Sequence, residues 1–123
     1  MDSEIKKLDP REEYFFREGC HIIEVSNSPN DKELSIARAR VEPGRTTAWH
    51  QLKGTCERYV ILQGSGEVEI GDVPKTHVAE GDTVIIPPQT PQRIHNSGFC
   101  DLVFLAICSP RFQIENYEDL EPT

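Results

Sequence analysis

Many short strands at close intervals, turn residues between them and no stretch of helical periodicity predict an all-β protein, a sandwich or a closed barrel. Its 123 residues suit one domain with a proper core and leave no room for two. Three parts are expected: an N-terminal extension over 1–19, the β-barrel domain over 20–110 and an acidic tail over 111–123. There is no internal repeat and no low-complexity tract.

In chain order, Asp9-Pro-Arg-Glu-Glu13 has the cap and proline of a helical turn, followed by the aromatics Tyr14-Phe-Phe16, which are expected to pack on the domain. Cys20 to Val25 reads as a strand, closed by the turn-rich 26–31. His21 on it carries no partner pattern and reads as an ordinary strand residue. Residues 33–41 alternate, with Leu34, Ile36, Arg38 and Arg40 on one face and Ser35, Ala37, Ala39 and Val41 on the other. The two arginines fit a solvated or intersubunit face; alternatively, one enters a pocket to bind a ligand's carboxylate or phosphate. Pro43-Gly44 makes a turn before the short strand of His50, and Glu57 opens a β-rich run to Gln63. Residues 67–70, 75–78, 83–86 and 92–96 continue the pattern. From Leu102 to Cys108 the chain is apolar on both faces, so a second sheet and a partner subunit are the candidates to cover it.

The net charge is −8, which disfavours nucleic acid and anionic membrane surfaces. No apolar run approaches the ~18 residues of a membrane span. The polar start, Met1 to Lys7, has no secretory h-region, and the four cysteines (Cys20, Cys56, Cys100, Cys108) lack CxxC spacing. Reduced thiols and a cytoplasmic location are therefore expected. Cys56 reads as structural or incidental, and as redox-sensitive if exposed.

Gly44, His50, Glu57 and Gly64 fall at the spacing of the first cupin motif, and Gly81, Pro87 and Asn96 at that of the second. Over about residues 33–110 the chain thus resembles the cupins, which implies a double-stranded β-helix (a jelly-roll barrel) with its ligand site inside. A full cupin site places three His and one Glu around a divalent metal. Here Leu52 stands at the place of one His and Gln92 at the place of another. The resemblance therefore implies a thinned metal site of His50, Glu57 and Gln92 for Fe, Mn, Zn or Ni, completed by water. Family members are often dimeric, and a homodimer is expected here.

Each candidate residue also has an alternative role. His50 is a metal ligand or a buried, hydrogen-bonded imidazole. Glu57 is a ligand or the partner of Arg58 or a strand arginine, because an interior carboxylate must be paired. Gln92 binds metal through its amide oxygen or hydrogen-bonds substrate or water. His95 has the opposite strand parity and is expected to point away from the barrel axis. Trp49, Tyr59 and Phe104 are expected to pack around the site. The first functional expectation is an enzyme in which His50 and Glu57 are catalytic. It would act on a small molecule with dioxygenase-, decarboxylase- or isomerase-like chemistry. The alternatives are a metal-free isomerase or epimerase using Glu57 or His50 as a base, and a module that only binds a sugar or metabolite.

Overall fold

Alternating inward and outward side chains give this chain two facing antiparallel sheets in the computed structural model, which describes residues 1–122. The six-stranded sheet runs in the order β1 (Tyr14–Phe16), β2 (Cys20–Ser26), β3 (Ser35–Val41), β10 (Leu102–Ser109), β5 (Cys56–Gln63) and β8 (Thr83–Ile86). The five-stranded sheet runs β11 (Tyr117–Asp119), β4 (His50–Leu52), β9 (Gln92–His95), β6 (Ser65–Ile70) and β7 (Val73–Ala79). Strands far apart in sequence lie side by side, β3 with β10 and β4 with β9. This is the double-stranded β-helix that the two motifs imply. The expected turn over Pro10–Glu12 is a single 3-10 turn, with the Asp9 side chain accepting from the Arg11 amide.

The inner faces make the core. Ile22, Val41, Ile61, Val68, Val84, Ile86, Ile94, Leu102 and Phe104 are buried in one cluster. On β3 and β10 the inward positions include Ala37, Ala39 and Ala106, and Ala37 lies directly opposite Ala106. Small residues there leave the barrel hollow at that end. The motif residues Gly64 and Asn96 shape the backbone. Gly64 has φ +80°, and a Cβ there would stand 2.7 Å from the Asp101 carbonyl. Asn96 is fully buried; its amide donates to the Val41 and Cys100 carbonyls at 2.8 and 2.9 Å, and its oxygen accepts from Gly98 N.

Arg38 and Arg40 occupy the outer face and line none of the cavities described below. Arg40 binds Glu13 at 2.6 Å and Asp101 at 3.3 Å, and Arg38 lies 3.8 Å from Glu13. These pairs tie the segment before β1 to β3. The strand that reads as two-faced is β10, near the middle of its sheet. Its inner face meets the core, while Leu105 and Ile107 are half-buried beside Val60, with Leu62 and Ile85 exposed nearby. Among the described residues no helix is long and apolar enough to cross a membrane.

Candidate functional site

The hollow end of the barrel is a cavity of ≈ 60 Å³, room for about five waters or a ligand of similar size. Its apolar wall is Phe16, Ile22, Ala37, Ala39, Phe104 and Ala106; its polar end is His50, Glu57 and Glu18. His50 and Glu57 arrive as their strands dictate. On β4, His50 and Leu52 point inward and are buried, while Gln51 between them is half-buried. On β5, Glu57 and Tyr59 point inward from the opposite sheet.

Glu18 has no place in either motif. It stands in the tight hairpin between β1 and β2, where Gly19 takes φ +97° and its amide donates to the Phe16 carbonyl. The hairpin tip is fastened to the segment that leads into β4 of the opposite sheet, because Ala48 N donates to the Glu18 carbonyl at 2.7 Å. Its carboxylate then meets His50, with Oε2 at 3.0 Å from Nε2. The other imidazole nitrogen, Nδ1, is 2.7 Å from the Ala48 carbonyl. Both ring nitrogens face oxygens that accept hydrogen bonds, an arrangement that favours the doubly protonated imidazolium. Tyr117, brought in by β11, stacks on that ring at 5.2 Å and 17°.

Proton affinities follow from this packing. Burial opposes the charge on His50, but the charge and hydrogen bond of Glu18 outweigh it and raise the imidazole to about 9. Burial likewise works against the Glu18 carboxylate, yet His50 holds it below the usual carboxylate range. Glu57 goes the other way: burial and then the charge of Glu18 push it up to about 7. The His50 charge and the nearby Gln92 side chain oppose that rise without cancelling it. Glu57 Oε2 accepts from the Cys108 thiol at 3.8 Å, and its buried Oε1 has no partner in hydrogen-bond geometry, the Gln92 amide included. Arg58, a partner open to Glu57 on sequence grounds, instead donates to Ser109 Oγ. Burial also pushes the Cys20 and Cys108 thiols well up, so neither is a nucleophile.

Gln92 lies directly opposite His50 across the β4–β9 pair and is 1 % exposed. It stands outside the cavity lining, and its amide oxygen accepts a hydrogen bond from the Tyr59 hydroxyl, which bridges the two sheets. His95 points away, as its parity requires, with Nδ1 2.7 Å from Thr46 Oγ1. Tyr59 and Phe104 line the cavity; Trp49 does not, and carries the Arg93 guanidinium 4.3 Å over its ring.

As a metal centre the donor set fits poorly. A ligating imidazole needs a free lone pair, and both nitrogens of His50 are engaged. Leu52 brings no donor, and the Gln92 oxygen is taken by Tyr59. Among the described residues no group of three or more His, Cys, Asp or Glu side chains is arranged to hold an ion.

Residues 37–108 match the cupin domain family, and the chain belongs to it. The uncharacterized protein MJ1618 of Methanocaldococcus jannaschii is 35% identical, over 98% of this chain and 95% of its own length. Two solved structures share the fold. One is an uncharacterized protein with a double-stranded β-helix domain from Klebsiella pneumoniae (TM-score 0.76, 19% identity, 98% of this chain and 100% of that one). The other is Pac13 of Streptomyces, described as a unique nucleoside dehydratase (TM-score 0.77, 15% identity, 96% and 92%).

Proposed function

We propose that this cupin is an enzyme that moves a proton on a small molecule held in the barrel cavity, an isomerase-, epimerase- or dehydratase-like reaction. Glu57 is the acid and base, and His50 with Glu18 is a fixed ion pair beside it. The observation that carries this reading is the unpartnered, buried Oε1 of Glu57 in a residue that lines the cavity. A carboxyl raised to about 7 is populated in both protonation states near neutrality, the condition for an efficient acid–base catalyst. The reaction has two steps for this residue. Ionised Glu57 takes a proton from a substrate carbon beside a carbonyl, and the resulting acid returns it to another face or to a leaving hydroxyl. The charged His50 ring lies near the negative charge that develops on the substrate. The dehydratase Pac13 places a related class of reaction on the same fold.

A second reading has one observation in its favour, the same open Glu57 oxygen: a divalent Fe, Mn, Zn or Ni ion on His50, Glu57 and Gln92. It requires His50 to lose a proton and leave Glu18, and Gln92 to release Tyr59. The test uses chelator-treated protein and a panel of small hydroxy and keto acids in D2O, followed by proton NMR. Deuterium incorporation or elimination that survives chelation and is lost in Glu57→Gln is the expected result. Activity that returns only with added metal would establish the second reading instead. We further propose that the protein works as a homodimer through the apolar outer face of β10 and β5, in the cytoplasm, where its four cysteines, all free, stay reduced.

A further inference from the structure

The cavity opens outward into a recess of ≈ 360 Å³, and Tyr14, Phe16, Glu24, Asn27 and Phe112 line both. The recess adds Arg111, the one arginine or lysine along either wall. This arginine is held in place. Its backbone amide donates to the Lys32 carbonyl at 3.2 Å, and Nη1 donates to Asn27 Oδ1 at 2.8 Å. Asn27 is fixed in turn, because its amide nitrogen donates to the Phe112 carbonyl at 2.8 Å. The chain has 21 acidic residues against 13 basic ones, yet among the described residues no carboxylate comes within ion-pair distance of Arg111. Six other arginines or lysines of the fold, Lys6, Arg11, Arg38, Arg40, Lys53 and Arg93, have taken such a partner. A guanidinium oriented by a neutral amide keeps donors and a full charge for a ligand.

We infer that Arg111 is the anchor for a substrate carboxylate at the cavity mouth, and that the substrates are small monocarboxylic acids whose uncharged end reaches Glu57. This rests on the cavity being the active site, as proposed above. Three features fix the class. The inner end already holds two carboxyls, Glu18 and Glu57, and its one cation, His50, is taken by Glu18, so the arginine outside is the better partner for a substrate anion. The inner cavity has space for only a few heavy atoms. Glu24 and Glu115 stand on the same rim, Glu24 engaged by the Tyr14 hydroxyl at 3.2 Å, and they repel a phosphate dianion more than a carboxylate. The sequence offers a ligand-binding arginine on β3 only as the alternative to a solvated or intersubunit face; the structure offers that chemistry just beyond β10 instead.

The probes are lactate, its neutral counterpart lactamide, and inorganic phosphate, each titrated into the whole protein by calorimetry. Lactate should bind wild-type protein more tightly than either of the others. Arg111→Gln should weaken lactate roughly tenfold or more and leave lactamide unchanged, the loss expected for one charge-assisted contact. Arg111→Lys should restore part of the preference. Asn27→Asp leaves the arginine but supplies it with a carboxylate, and should also weaken lactate. Equal binding of lactate and lactamide, tighter phosphate binding, or a preference that survives both Arg111→Gln and Asn27→Asp would overturn the inference. Glu57→Gln should retain lactate binding. Failure of the acid–base reading therefore appears as turnover that persists in Glu57→Gln with the Arg111 effect intact, separately from failure of the anchor.

Discussion

Glu18 and His50 hold each other ionised inside the barrel: the carboxylate is 3.0 Å from Nε2, and the Ala48 carbonyl closes Nδ1 at 2.7 Å. The pair brings no free lone pair to the cavity. Its influence on the third member of the cluster is electrostatic, since the charge of Glu18 raises Glu57 and that of His50 lowers it.

Glu18→Gln leaves the shape and removes the charge. His50 then loses the partner that overcomes its burial, and its midpoint should fall by more than one pH unit in a nitrogen-15 NMR titration. Breaking a buried pair from one side costs about 3–5 kcal/mol, so thermal unfolding should move down clearly as well. Alanine at Glu57 should cost less below pH 7, where that carboxyl is mostly protonated.

Stability should decline from mildly acidic to alkaline pH. His50 is raised from 6.5 to about 9, so its contribution is whole below 6.5 and is lost as pH climbs through 9. Glu57 is raised from 4.5 to about 7, so it too favours the folded state at low pH and loses that contribution through 7. Glu18 is depressed, and its contribution fades only when pH falls below the ordinary carboxylate range. Melting curves of Glu57→Gln should be flatter between about pH 5 and 7 than those of the wild type, with the alkaline decline retained.

Ala106→Leu tests whether the hollow is the working volume. Ala106 lines the cavity opposite Ala37, and a leucine there projects into it. Activity and ligand binding should vanish, while overpacking costs about 1–3 kcal/mol and leaves the protein folded by circular dichroism.

The outer face of β10 is expected to bury against a second copy. Leu105→Glu sets a charge beside Val60 on that half-buried patch. Light scattering should show a dimer for wild-type protein and a monomer for the variant.

The barrel and part of its site are legible in the sequence, because strand alternation and glycine turns act over a few residues. His50 and Glu57 sit within such a pattern, and parity alone turns both inward and His95 outward. Gln92 reads correctly as interior, but its oxygen's partner, Tyr59, comes from the opposite sheet, a relation that no local spacing encodes. Glu18 is hidden for the same reason. Its hairpin turn, Arg17-Glu18-Gly19, looks like an exposed loop, and only the long-range bond from Ala48 folds it under His50. An acidic residue beside a glycine between two apolar strands is the one signal available, and it is weak. Arg111 follows the barrel strands, where composition suggests a tail. Its position at the mouth depends on Asn27, which is 84 residues away.

The central claim is that Glu57 is an acid–base group poised near neutrality beside an imidazole that is charged at that pH. A carbon-13 NMR titration of the Glu57 side-chain carboxyl, with His50 nitrogens followed in the same sample, reads both at once. A Glu57 midpoint near 7 with His50 still doubly protonated there is the outcome this account requires. A midpoint near 4.5, or a neutral His50 at pH 7, would contradict it.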